Sequence, residues 1–120
     1  MVITGMGMVT PLGNSVESTW KGILSGASGV GPITRFDAAP FPCRIAGEIR
    51  GFDPRDYMTA KDAHRTDPFI QYALAAALMA MEDARLSLTL PDRLRTGVLV
   101  GSGRGGVTTT EKNMAAFYAK

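Results

Sequence analysis

The sequence predicts an α/β fold, a parallel-rich mixed sheet with helices packed on it. Three observations predict it. Two glycine runs, Gly5-Met6-Gly7 and Gly101-Ser102-Gly103-Arg104-Gly105-Gly106, each follow a short apolar stretch and precede a segment that reads as a helix. Phe69 to Ala84 is apolar nearly all round, the pattern of a helix buried on most sides. Thr96 to Val100 is apolar and β-branched, as a buried strand is. A strand that ends in clustered glycines brings backbone close to something a side chain would exclude.

Val2 to Thr4 reads as the first short strand. Asn14 is then the expected N-cap of a helix from about Ser15 to Leu24, with Glu17 three positions on in a capping-box-like spacing. Val16, Trp20 and either Ile23 or Leu24 form its buried face, and Gly26 ends it. Ser25 to Pro42, rich in Gly, Ser and Pro, reads as loop. Cys43 to Ile49 alternates, with Cys43, Ile45 and Ile49 on the side opposite Arg44, Glu48 and Arg50, so a half-buried strand is expected there. Asp53-Pro54 opens a helical turn through Met58.

Asp67-Pro68 is the clearest helix start in the chain, an acidic N-cap followed by proline at the first helical position. The alanines at 73, 75, 76, 77, 80 and 84 permit close backbone approach to this central helix. Thr108 with Glu111 predicts a second capping box, opening a helix that is still running at Lys120. Domain boundaries favour exposed linkers over helices. The 120 residues are therefore expected to be part of a larger domain.

Basic residues number 13 and acidic 11, so a net charge of +2 gives no case for nucleic acid as a partner. The longest near-apolar run, Ala73 to Met81, is far shorter than the roughly 20 residues a bilayer requires, so no membrane span is expected. No secretory or transit segment is recognisable. A single cysteine, Cys43, excludes an internal disulfide and suits a reducing cytoplasm.

Gly101-x-Gly103-x-x-Gly106 has the spacing of a dinucleotide-binding fingerprint. That fingerprint also needs an acidic residue about 20 positions further on, within a complete βαβ unit, and the 120 residues do not reach it. A non-catalytic nucleotide-binding or interaction module is therefore an alternative reading. Cys43 lies beside Pro42 with neither a helix N-terminus nor an imidazole nearby to activate it, so a small buried hydrophobe is the expected role. Lys61, His64 and Arg65, spaced i, i+3 and i+4, project from one face of a helical turn. Interleaved Asp62 and Asp67 make a merely solvated surface an equal alternative. No residue pattern implies a metal.

Thr4-Gly5-Met6-Gly7 through Thr10-Pro11-Leu12-Gly13, Glu17-Ser18-Thr19-Trp20, Phe69-Ile70-Gln71-Tyr72, and Gly101-Ser102-Gly103 with Gly105-Gly106 together resemble one family. The chain looks like the N-terminal portion of a beta-ketoacyl-acyl-carrier-protein synthase of the second type. The resemblance implies a thiolase-like layered αβαβα fold, of which this is the first part. It implies decarboxylative condensation in fatty-acid elongation: an active cysteine takes the acyl chain, malonyl-carrier decarboxylates with help from two histidines, and the carbanion attacks the thioester. A polyketide ketosynthase or its chain-length partner is similar over this portion.

By the resemblance, Gly103 and Arg104 line the buried acyl channel, and Lys61, His64 and Arg65 help dock the acidic acyl carrier protein. Family members carry an apolar residue, usually isoleucine, at the place of Arg104. An arginine there either turns to solvent or to a carboxylate, or shortens and polarises the pocket. The family's nucleophile stands in a Thr-Ala-Cys context that Cys43 lacks, and His64 matches neither catalytic histidine. No catalytic residue is therefore expected among the 120, and the segment alone is expected to be inactive. A homodimer is implied for the full-length form, with no cofactor beyond the carrier's phosphopantetheine arm.

Overall fold

One helix organises the chain in the computed structural model, which describes residues 1–87 and 89–119. This helix is α3, Pro68–Asp83. Asp67 is extended at its N-cap (φ −71°, ψ 154°), Pro68 occupies the first turn, and the Asp67 carbonyl accepts from the amides of Ile70 and Gln71 at 3.0 and 3.3 Å. The Asp67 side chain does not cap its own helix. Its carboxylate instead accepts from the Thr109 hydroxyl at 2.7 Å.

The opening segment crosses α3 at its alanines. A Cβ placed on Gly5 would lie 2.6 Å from the Ala84 amide nitrogen, and one on Gly7 would overlap the Ala76 carbonyl and lie 2.8 Å from the Met79 Cβ. The Met6 amide donates to the Asp83 carboxylate at 2.9 Å, fixing the register of the crossing. The glycines therefore do what the sequence implies, and the surface they approach is an alanine stripe on a helix. Val2 to Thr4, expected as the first strand, joins no ladder among the described residues.

α1 spans Val16–Leu24. Its cap is Ser15, one residue later than expected: the Ser15 hydroxyl accepts from the Ser18 amide, and the Ser18 hydroxyl accepts from the Ser15 amide, both at 3.1 Å. Asn14 is free to donate its side-chain amide to the Arg50 carbonyl at 2.9 Å. Gly26, at φ +67°, follows the helix end. Thr19 is the buried residue of α1; its hydroxyl donates to the Gly13 carbonyl and bonds the Thr10 hydroxyl at 2.9 Å. The expected apolar face exists but is open. Met6, Met8, Val16, Trp20 and Ile23 line an apolar cavity of about 660 Å³, and Trp20 is 57% exposed.

β1, Val30–Pro32, lies inside the stretch expected to be loop, and pairs antiparallel with β2, Ile45–Gly47. Val30 faces Gly47, Gly31 faces Ala46 and Pro32 faces Ile45. Glycine and proline hide β1 from a propensity reading, yet Pro32 is tolerated because the ribbon has only two strands and its nitrogen can face outward. The expected alternation holds at Arg44, Ile49 and Arg50 but fails at three positions: Cys43 and Ile45 are exposed and Glu48 is buried. Cys43 is thus not the small buried hydrophobe its neighbours suggested. Hydrogen bonding, described below, draws Glu48 inward.

A 3-10 turn, Pro54–Asp56, follows Asp53 as expected. Phe52 stacks on Tyr57 and meets the Tyr72 ring edge-on, with centroids 5.7 and 5.0 Å apart, which docks the turn on α3. α2 spans Ala60–Arg65, α4 spans Leu90–Leu94 and α5 spans Val107–Tyr118. α4 has no counterpart in the sequence reading. It starts where the Asp92 carboxylate accepts from the Thr89 amide and hydroxyl. α5 begins at Gly106 in the left-handed conformation rather than at a Thr108 capping box, and the expected final residue, Lys120, lies outside the described residues.

The α/β class holds, but the sheet among the described residues is the two-stranded antiparallel ribbon, not a parallel-rich one. Thr96 to Val100 is unpaired, with Leu99 100% exposed. A strand needs a neighbour's backbone, and here Thr96 bonds back to Asp92 of α4 while Val98 and Val100 share an apolar cleft of about 290 Å³ with Phe69, Ile70, Ala73, Leu74 and Ala77 of α3. The radius of gyration is 17.4 Å, against about 13.6 Å for a closed domain of this length. The chain is a slab 27 Å thick. α3 is therefore not covered on most sides in this chain: Leu74, Leu78 and Met81 stand 41%, 40% and 38% exposed.

The crossing yields a direct test. Gly7→Ala should destabilise the protein by about 1–3 kcal/mol, the cost of overpacking a tight contact. Gly97→Ala, where a Cβ meets open space, should change stability by less than about 0.5 kcal/mol. Urea denaturation of both variants beside wild type measures the difference.

Candidate functional site

Two exposed features carry the side chains singled out from sequence. The first is α2. Thr59 caps it, accepting from the Asp62 amide at 3.2 Å and donating its hydroxyl to the Asp62 carboxylate at 2.6 Å. At the other end Thr66 donates to the Asp62 carbonyl, and Gln71 of α3 donates to the carbonyls of Ala63 and Thr66 at 2.8 and 2.9 Å. A six-residue helix is marginal alone; these bonds from both flanks hold it. Lys61, His64 and Arg65 are all exposed on it.

The interleaved acids keep their charge but form no ion pair with these three side chains among the described residues. Asp62 is bound at the N-terminal end by Thr59, and Asp67 is bound by Thr109 of α5. In the neighbouring turn Arg55 pairs with Asp53 at 2.5 Å, and that hydrogen bond holds the Asp53 carboxyl down to about 2. The Asp53–Arg55 pair is the ion pair found among the described residues.

The second feature is the loop from Gly101 to Gly106. Its C-terminal end is pinned to the start of α3: a Cβ on Gly105 would lie 2.7 Å from the Phe69 ring, and Gly106 sits at φ +70° beside the Asp67 carboxylate. Gly101 and Gly103 have open space around them, and Arg104 is exposed. Phe69 and Asp67 thereby acquire structural roles. Neither the Asp67–Thr109 bond nor the Phe69 contact has a local signal in the sequence, because each joins residues about 40 apart.

A third cluster was not singled out at all. Glu48, buried, accepts from the Thr34 hydroxyl at 2.7 Å, the Thr34 amide at 3.0 Å and the Arg35 amide at 3.2 Å. Arg35 donates to the Ile49 carbonyl at 3.1 Å and to the Tyr72 hydroxyl at 3.0 Å, tying the β1–β2 ribbon to α3. Arg35, Glu48, Ile49 and Tyr72 border an open cavity of about 550 Å³ that also touches Val107, Thr108 and Glu111 of α5. The Thr34 hydroxyl and amide hold the Glu48 carboxyl below its ordinary value, against a smaller opposing effect of burial. The polar atoms are satisfied within the chain, so the cluster reads as a brace. No group of three or more His, Cys, Asp or Glu side chains among the described residues could hold a metal.

Comparison with known proteins decides the family. Residues 1–119 match the family model described as the Beta-ketoacyl synthase, N-terminal domain. The chain belongs to that family. It is 46% identical over 120 residues to the 3-oxoacyl-[acyl-carrier-protein] synthase 2 of Vibrio harveyi, covering all of this chain and 29% of that protein. It is 48% identical over 117 residues to the Coxiella burnetii protein of the same name, covering 98% and 28%. The solved ishigamide ketosynthase/chain length factor superposes with a TM-score of 0.62 at 38% identity, over 76% of this chain and 22% of that one. The chain thus spans under a third of the length of the curated ketosynthase relatives it matches. No described helix is long and apolar enough to cross a membrane.

The Glu48 brace predicts a pH dependence with a definite sign. Because the folded carboxyl ionises below its ordinary value of 4.5, its stabilising contribution is complete above that pH. It is lost as pH falls from there through the folded value. Denaturation midpoints between pH 3 and 7 should therefore drop more steeply below 4.5 in wild type than in Glu48→Gln.

Proposed function

We propose that this chain is the N-terminal part of a 3-oxoacyl-acyl-carrier-protein synthase of the second type, which condenses malonyl-carrier with an acyl primer. The identity to enzymes of that name along the whole chain carries this reading. Within that enzyme the chain supplies scaffold, a carrier-docking face and part of the acyl-channel wall. Lys61, His64 and Arg65 form the docking face; all three are exposed and none forms an ion pair among the described residues, which leaves their side chains available to an acidic partner. Gly103 and Arg104 border the channel. The full-length protein acts as a cytoplasmic homodimer and takes its acyl groups on the carrier's phosphopantetheine arm. Cys43 takes no part in the chemistry, which falls to residues outside these 120.

The likeness to the ketosynthase/chain length factor favours a second reading, a polyketide condensing subunit or its cysteine-less partner. The reading frame beyond residue 120 separates the partner from the condensing enzymes: a Thr-Ala-Cys sequence supports a condensing enzyme of either kind, and its absence supports the partner.

Reversing charge on the docking face tests the first role. Lys61→Glu with Arg65→Glu in the full-length enzyme should raise KM for carrier-borne substrate about tenfold and flatten its dependence on salt. An unchanged KM removes these residues from docking.

Arg104→Ile tests the second. Restoring an apolar side chain should raise the ratio of kcat/KM for long over short acyl primers about tenfold, the worth of roughly two further buried CH₂ groups. An unchanged ratio removes Arg104 from chain-length selection.

A further inference from the structure

We propose that Asp67 is a positioning residue for chain-length selection: through the Thr109 hydroxyl it holds the Gly103–Arg104 loop against α3 and so sets the depth of the acyl channel. The role rests on the channel reading above. Pro68 restricts the residue before it to extended backbone, and Gln71 donates to the neighbouring Thr66 carbonyl at 2.9 Å. Asp67 is therefore held from both sides. Its half-buried side chain makes no capping bond to its own helix and lies instead at the N-terminus of α5.

That terminus lacks an acceptor of its own. Its N-cap is Gly106, at φ +70°, which has no side chain to serve the first turn. The Asp67 carboxylate accepts from the Thr109 hydroxyl at 2.7 Å and stands 3.4 Å from where a Gly106 Cβ would be. Negative charge is favoured at a helix N-terminus. Thr110 couples the same turn to the loop, donating its amide and hydroxyl to the Gly106 carbonyl at 2.9 and 2.8 Å. Position is thus passed from Asp67 to Thr109, through the first turn of α5 to Gly106, and on toward Arg104.

No second tether duplicates this one. Among the described residues, the Asp67–Thr109 bond is the one hydrogen bond joining α5 to another element, and residues 97–105 make none. The loop's other attachments are apolar: the Gly105 backbone against the Phe69 ring, and Val98 and Val100 in the α3 cleft. Apolar contact has no direction and permits sliding along α3. A hydrogen bond is directional and does not.

The experiment measures kcat/KM of the full-length synthase for hexanoyl- and tetradecanoyl-carrier primers. Wild type, Thr109→Val, Thr109→Ser, Asp67→Ala, the Thr109→Val/Asp67→Ala double variant and Arg104→Ile are compared, with a thermal melt of each. Thr109→Val keeps the shape of an exposed side chain and removes its donor. It should raise the ratio for the long over the short primer about three- to tenfold, the range of one hydrogen bond, because the freed loop lets Arg104 leave the channel. Thr109→Ser should keep the wild-type ratio, and the double variant should go no further than either single one. If Thr109→Val and Asp67→Ala lower kcat/KM equally for both primers, the bond serves stability alone and the proposal is overturned. A serine variant that behaves like the valine one overturns it too. A shift in Arg104→Ile with none in the Asp67 and Thr109 variants removes Asp67 from selection and leaves the channel reading intact. If Arg104→Ile also leaves the ratio unchanged, the channel reading itself fails.

Discussion

The contact between the Gly5–Gly7 backbone and the alanine stripe of α3 is the constraint on which the rest of the slab depends. With side chains absent from one partner and reduced to methyl groups on the other, the extended segment lies against the helix at backbone distance. That closeness lets the Met6 amide reach Asp83. It also places Met6 and Met8 opposite α1, so that the two methionines and Trp20 share one apolar wall. The path continues through the Thr10–Gly13 turn, where Thr19 of α1 bonds both Thr10 and Gly13. A bulkier residue at either glycine would lift the segment from the helix and separate α1 from α3.

The features legible in the sequence were those whose physics is local. Asp67-Pro68 marked α3 because an extended residue before a proline is an intrinsic helix start, and Asp53-Pro54 marked its turn in the same way. Lys61, His64 and Arg65 could be placed on one face because helical spacing alone decides that. Near misses arose where several polar residues competed for one role: Asn14, Ser15, Glu17 and Ser18 offer two capping boxes, and the serine pair forms. Long-range features were illegible. Glu48 looks like an outward residue of an alternating strand until Thr34 and Arg35 supply three donors from 13 and 14 residues away. Residues 96–100 have the composition of a strand, but composition cannot provide the neighbouring backbone that makes one.

The candidate site depends on where the acids go. A composition of balanced charge describes the region from Arg35 to Asp67, but it does not say which carboxylates are held and by what. Asp53, Asp62 and Asp67 are each engaged by a named donor, and the cations of α2 are not. The Asp67–Thr109 bond has a second effect. It ties the glycine loop before α5 to the same junction that ends α2, so the basic face and Arg104 belong to one continuous piece of structure.

The length of the Met6–Asp83 connection matters during synthesis. The two residues are 77 positions apart, so the opening segment leaves the ribosome long before the helix it rests on exists. At about 5–20 residues per second the interval is roughly 4–15 s, and the exit tunnel lengthens it further. Throughout it the Gly5–Gly7 backbone has no α3 to lie against. The nascent chain therefore carries Met6 and Met8 without that support as a routine stage of its production. Speed of translation through the 77 positions that separate the partners, rather than through the segment itself, sets how long that exposure lasts.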